Sequence, residues 1–238
     1  MNSKNRDEFV AGILYKSAIE DEKEWRREKE NKHDVLICDR LIKEVRDLGY
    51  NYHYLVDLTN RKNDDQELLD IVLKYIGKFD DEFVSAELAD VVGKKGNYSA
   101  TETILNHYKT SPARKAYRYS SFYDNAFYRI KDKRFISSYL EFLREPEDAV
   151  KLPLTMVLLG KWQVKEALPF LLEYLDSALP YSNEFARDLI FLAINALSYY
   201  RDEDGSIQKK IEFQLMSKDK DIAAAAQKAI KRMQKKKK

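Results

Sequence analysis

From residue 64 to residue 233 the sequence is a succession of apolar patterns of helical period, each about a dozen residues long and each followed by a short polar turn. "DDQELLDIVLKYIG" reads as a helix closing at Gly77 and "DDEFVSAELADVVG" as one closing at Gly93. "YSATETILNHYK" opens with Ser99 and Glu102 at the spacing of a capping box. "FISSYLEFLRE", "LPLTMVLLG", "VKEALPFLLEYLD", "NEFARDLIFLAINALSYY", "SIQKKIEFQLM" and "DIAAAAQKAIKRM" continue the rhythm. Helices this short, joined this closely, pack antiparallel to their neighbours. The chain has only 7 Gly and 5 Pro in 238 residues, too few for the many tight turns of a sandwich or barrel, so an all-α fold is expected.

The first part of the chain is less regular. Residues 6–32 carry a helical pattern whose apolar half (Phe9, Val10, Ile13, Leu14, Ala18) gives way to "EDEKEWRREKENK". There Glu22 and Arg26, and Glu28 and Lys32, stand four apart, which predicts a solvated helical extension. "DVLICDRLIKEVRDLGY" sets Val35, Cys38, Leu41, Ile42, Val45 and Leu48 on one helical face, with Gly49 as a left-handed cap. "YNYHYLVDLTNRKND" is either a short helix or a linker.

The later helices come in similar pairs. Sliding "DVVGKKGNYSATETILNHY" by 67 residues onto "MVLLGKWQVKEALPFLLEYL" superposes Gly93 on Gly160, Ala100 on Ala167 and Leu105 on Leu172. Taken as two repeats, that offset gives a period of about 33 or 34, within the range of two-helix repeats. On these residues the sequence resembles the HEAT and HEAT-like repeats, in which a first helix ends in Leu-Gly and Glu-Ala-x-Pro-x-Leu opens the second. "VLLGKWQVKEALPFLLEYLDS" carries both marks; residues 184–216 are similar, residues 80–145 less so, and the first 60 residues not at all. The resemblance implies an α-solenoid of antiparallel helix pairs over residues 61–234, with residues 1–60 as a helical cap and residues 235–238 as a basic tail. A helical hairpin with two apolar faces buries them only against its neighbours, so stacking supplies the core.

Lys+Arg at 42 against Asp+Glu at 40 leaves a net charge of +2, so no global field attracts polyanions and any anion site is local. A single cysteine, Cys38, excludes a disulfide framework and any CxxC motif, and is expected as a buried small hydrophobe. His33, His53 and His107 have no metal-ligand spacing, and no phosphate loop, dinucleotide fingerprint or nucleophile elbow occurs. The acidic turn "RDEDGSI" lacks the first and last carboxylates of a calcium loop and reads as an interhelical turn. No metal, cofactor or catalysis is expected, nor membrane insertion, and the chain is expected in the cytoplasm.

"SPARKAYRYSSFYDNAFYRIKDKR", residues 111–134, interleaves aromatic and basic residues. Read as one helix begun by Ser111 and Pro112, it places Ala116, Tyr119, Tyr123, Ala126, Phe127 and Ile130 on a packing face, opposite Arg114, Arg118 and Arg129. With Lys133 and Arg134 those arginines form an anion-binding candidate for a nucleic acid or an acidic partner. The opposing candidate is a protein-binding surface. Phe170 and Phe213 fall on the sides of their helices away from the leucine-rich faces, near Glu173 and Glu212, and would meet a partner on the concave face that HEAT folds present. A protein-binding scaffold is the first expectation, and a nucleic-acid-binding protein the second.

Overall fold

The computed structural model describes residues 3–28, 32–59, 65–176 and 183–236. Among them are 14 α-helices and no β-strand. Contacts divide the chain into two compact units, residues 1–113 and residues 114–238.

The first unit holds α1 (Ser3–Arg27), α2 (Lys32–Asp47), α3 (Leu55–Thr59), α4 (Gln66–Leu73), α5 (Glu82–Val92) and α6 (Ala100–Thr110). α2 packs on α4, α4 on α5, and α3 lies between α1 and α5. α2 buries the predicted stripe at Cys38, Leu41, Ile42 and Val45, and Gly49 follows it with φ +95°, its amide bonded to the Arg46 carbonyl. Asp65 caps α4 by accepting from the Glu67 amide, and Asp81 caps α5 by accepting from that of Phe83. The capping box expected at α6 does not form. Ser99 lies in helical backbone geometry without a capping bond, and its hydroxyl donates to Asn97 Oδ1 while the buried Asn97 amide reaches the Val92 carbonyl.

The charged half of α1 is not a solvated extension. Glu22 Oε1 accepts from Arg26 and Oε2 from the Val56 amide, while Arg26 also bonds Asp39 and the sulfur of Cys38. Trp25 Nε1 donates to Asp81 at 3.2 Å. Apart from the Glu22–Arg26 pair, a charge run in sequence conceals these ties because each partner lies 12 or more residues away.

The second unit holds α7 (Tyr117–Ile130), α8 (Ile136–Arg144), α9 (Pro146–Lys151), α10 (Pro153–Lys161), α11 (Leu168–Glu173), α12 (Asn183–Leu197), α13 (Ser206–Phe213) and α14 (Lys220–Lys236). α7, α10, α12 and α14 pack each on the next, while α8 lies against α10, α11 against α12 and α13 against α14. α10 lies between α7 and α12 and is buried through Thr155, Met156, Leu158, Leu159 and Gly160, which is why its sequence is apolar all round. α14 buries one face only, through Ile222, Ala226, Ala229 and Met233.

Polar side chains tie elements of this unit across a recurring interval. Tyr174 donates to the Leu143 carbonyl, Tyr200 to that of Val164 at 2.7 Å and Gln214 to that of Leu175 at 3.0 Å, across 31, 36 and 39 residues. Asp124, on α7 and 2% exposed, accepts from the Leu154 and Thr155 amides, both at 2.8 Å, and from the Thr155 hydroxyl. It thus caps α10 from the neighbouring helix, where Pro153 contributes no amide. Its burial pushes its pKa up to about 6, against the bonds from Thr155 and Leu154 that lower it.

Residues 111–130 are not one helix. Ser111 ends α6, residues 112–115 form a short 3-10 turn, and Ala116 is extended (φ −104°, ψ 114°) before α7 begins. Within α7 the expected face holds, with Tyr123, Ala126, Phe127 and Ile130 buried, but Ser120 and Asp124 are buried beside it.

Candidate functional site

The anion stripe expected on residues 114–134 is dispersed. Arg114 lies on the 3-10 turn rather than on α7, and its guanidinium grips the buried Asp148 carboxylate with Nε at 3.1 and 3.0 Å from the two oxygens, over the Phe142 ring. Arg134 is held by Asp132 and stacks near Phe135. Arg118 is exposed on the first turns of α7 and Arg129 is half-buried near its end. Of the five expected residues, Lys133 has no carboxylate partner among the described residues and stands over the Trp162 ring at 5.7 Å.

A different set of cations comes together where α7, α10 and α12 end. Lys131, left-handed at φ 60° as the C-cap of α7, lies 5.3 Å from the Tyr128 ring centre. Lys161, at the end of α10, stands 4.7 Å from the Tyr128 ring centre, donates to its hydroxyl, and lies 5.4 Å from the Tyr199 ring centre. Arg232 of α14 covers Tyr199 at 4.5 Å and donates to the Ser198 hydroxyl. The row therefore runs Lys131, Tyr128, Lys161, Tyr199, Arg232, with Lys133 and Trp162 beside it. Lys131, Lys133 and Lys161 are exposed, and Tyr128, Trp162, Tyr199 and Arg232 half-buried. Sequence reasoning missed this row. Its signal was the offset of 33 residues from Tyr128 to Lys161, found again from Tyr199 to Arg232, each a tyrosine followed by a cation at the same interval.

The protein-binding candidates also change. Phe213 is 66% exposed at the end of α13, but Phe170 is half-buried with Arg144 over its ring at 5.8 Å. Leu215, expected on the packing face, is exposed together with Met216, because the chain tightens into a 3-10 turn after Phe213 and turns Gln214 inward instead. Glu173 and Glu212 are exposed; Glu212 accepts from Gln208. Phe213, Leu215 and Met216 therefore form an apolar surface at one end of α13.

The first unit contains a cavity of about 300 Å³ between α1, α3 and α5, lined by Trp25, Leu55, Val56 and Phe83 with the carboxylates Asp21, Glu22, Asp81 and Glu87 at its rim. His33, Asp34 and Asp80, separated by up to 47 positions in sequence, offer ligand atoms within 4.8 Å of one another, a grouping that no spacing rule reveals. Asp34, 2% exposed, already accepts from the Asp80 and Asp81 amides at 2.7 and 3.0 Å and so anchors α2 to the start of α5. In "RDEDGSI" the carboxylates serve the backbone: Asp202 accepts from the Ile207 and Gln208 amides, Asp204 from that of Ser206, and Gly205 takes φ +75°. Cys38 is buried, and burial pushes its thiol up to about 12, far from a reactive thiolate.

No helix of the described residues is long and apolar enough to cross a membrane. Comparison with known proteins finds no matching family model, no matching curated protein and no matching solved structure.

Proposed function

We propose that the chain is a non-catalytic binding scaffold built as an α-solenoid of HEAT-like helix pairs, which engages a protein partner in the cytoplasm. Two features support the repeat reading. The helices α7, α10, α12 and α14 pack in sequence order, and the polar ties between elements recur at separations of 30 to 39 residues. Gly160 adds a third, since it brings α10 so close to the Ala196 carbonyl that a Cβ there would overlap it.

The observation that carries partner binding is the cluster of Phe213, Leu215 and Met216, 66%, 43% and 76% exposed. Large apolar side chains that project from a tightened turn, with charged Glu212 and Lys218 nearby, have the make-up of an interface centre rather than of scattered surface residues. Glu212 belongs to the surrounding rim. The partner is a protein that offers an apolar segment.

The test is crosslinking of the intact chain in an extract of its own cells, followed by identification of the attached proteins. A Phe213→Glu, Met216→Glu variant with an unchanged melting temperature should lose the partner that the wild type captures. Capture by the variant equal to that by the wild type would overturn the assignment.

A further inference from the structure

We infer that the row of cations and rings at the ends of α7, α10 and α12 is a binding track for the phosphodiester backbone of a nucleic acid. The inference is independent of the apolar surface on α13.

Several other basic side chains of the second unit are neutralised by carboxylates: Arg114 by Asp148, Arg134 by Asp132, Arg187 by Asp219 and Asp221, Lys210 by Asp176. Lys131, Lys133, Lys161 and Arg232 have no carboxylate partner among the described residues. They are held by ring faces and hydroxyls instead. An aromatic face fixes the position of a cation without cancelling its charge, and the N–H groups directed away from the ring remain available. The result is a set of charges ordered in advance at small entropic cost and not neutralised.

The place of the row also matters. The exposed carbonyls at a helix C-terminus carry roughly half a negative charge, and one cation at each end would offset them. That role explains a single lysine per helix. It does not explain why Lys161 contacts the rings of both neighbouring segments, which joins the cations into one continuous line. The cation-to-ring distances along the row, 5.3, 4.7, 5.4 and 4.5 Å, let it extend at most about 20 Å, the length of about six base pairs. Exposed Lys235 follows Arg232 by three residues on α14. Since the ring faces of Tyr128 and Tyr199 are covered by the protein's own cations, bases have no free face to stack on there. The track reads phosphates and not sequence.

The test is fluorescence anisotropy of the full chain with a labelled single-stranded RNA of about 20 nucleotides and with duplex DNA of equal length, across a salt series. Four neutralised phosphates give log K a slope of about −3 to −4 against log salt on duplex. The Lys131→Gln, Lys161→Gln, Arg232→Gln variant should lose most of that slope and bind at least about tenfold more weakly at low salt. A Lys209→Gln, Lys210→Gln, Lys218→Gln variant, with the same loss of charge elsewhere, should stay within about twofold of the wild type, as should the Phe213→Glu, Met216→Glu variant. Tyr199→Leu keeps every charge and should still weaken binding several-fold. If the first triple variant melts early, Lys131→Gln with Lys133→Gln, both at exposed sites, gives the same reading with about half the slope lost. Absence of salt-dependent binding, equal loss in the two triple variants, or displacement by inorganic polyphosphate at equal phosphate concentration would each overturn the inference.

Discussion

Asp124 shows how much one buried side chain can organise. Its carboxylate replaces the cap that α10 lacks, and does so from a different helix. Burial raises its pKa to about 6 from an ordinary 3.8, so the carboxyl favours folding below about pH 4, and that contribution is lost as the pH rises through about 6. Asp124→Asn keeps one acceptor but leaves an amide of α10 unsatisfied. A loss of about 1–3 kcal/mol at neutral pH is expected. In urea titrations the stability difference between wild type and variant should fall from pH 4 to pH 6; a constant difference would show that Asp124 titrates normally. Single residues of this kind were the least legible in sequence. Nothing in the sequence marks Asp124, Asp34 or Asp148 as buried, because their partners lie 30 or more positions away. Arg114 misled for the same reason: its charge is visible in sequence, but its neutralisation by Asp148 is not.

Gly160 was more legible in the sequence than these side chains. The Leu159-Gly160 pair marked the end of a first helix, and the glycine lies where α10 meets the backbone of α12. Gly160→Ala should force the two helices apart at a cost of about 1–3 kcal/mol, a few degrees in melting temperature. Gly77 is a second such position, with φ +77° and a Cβ that would lie 2.7 Å from the His107 ring, so Gly77→Ala should also destabilise. Differential scanning calorimetry of both variants checks the pair. Most helices were legible because their apolar periodicity is set by burial that the sequence has to encode; α7 through Tyr123, Phe127 and Ile130 is an example. The break at Ala116 was not, since nothing in "SPARKAYRY" disfavours continuous helix strongly enough to reveal an extended residue. The tightening after Phe213 escaped similarly, and it inverted the roles of Gln214 and Leu215.

At the scale of the whole molecule the rhythm of helices and the low glycine and proline content gave the all-helical class directly. The division of contacts between residues 113 and 114 was not visible, because residues 111–130 read as one helix across it, although the charge balance turns from acidic before it to basic after it. If the second unit is a stack of repeats, its stability is the sum of nearest-neighbour interfaces. Hydrogen exchange should then be graded, with amides of α10, buried between α7 and α12, slower than those of α14, which buries a single face. Uniform protection across α10, α12 and α14 would argue for one indivisible core. The tyrosine-to-cation offset of 33 residues has a consequence for descent. If that interval marks a repeated module, the contacts of Tyr128 with Lys161 and of Tyr199 with Arg232 are specified by the module rather than by a unique position. Duplication or excision of one complete module would lengthen or shorten the charged row while keeping its pitch, whereas insertion of a few residues within a module would put every later contact out of phase. Length variants of such a chain should therefore differ by whole modules, and the size of the ligand they grip should change in the same steps.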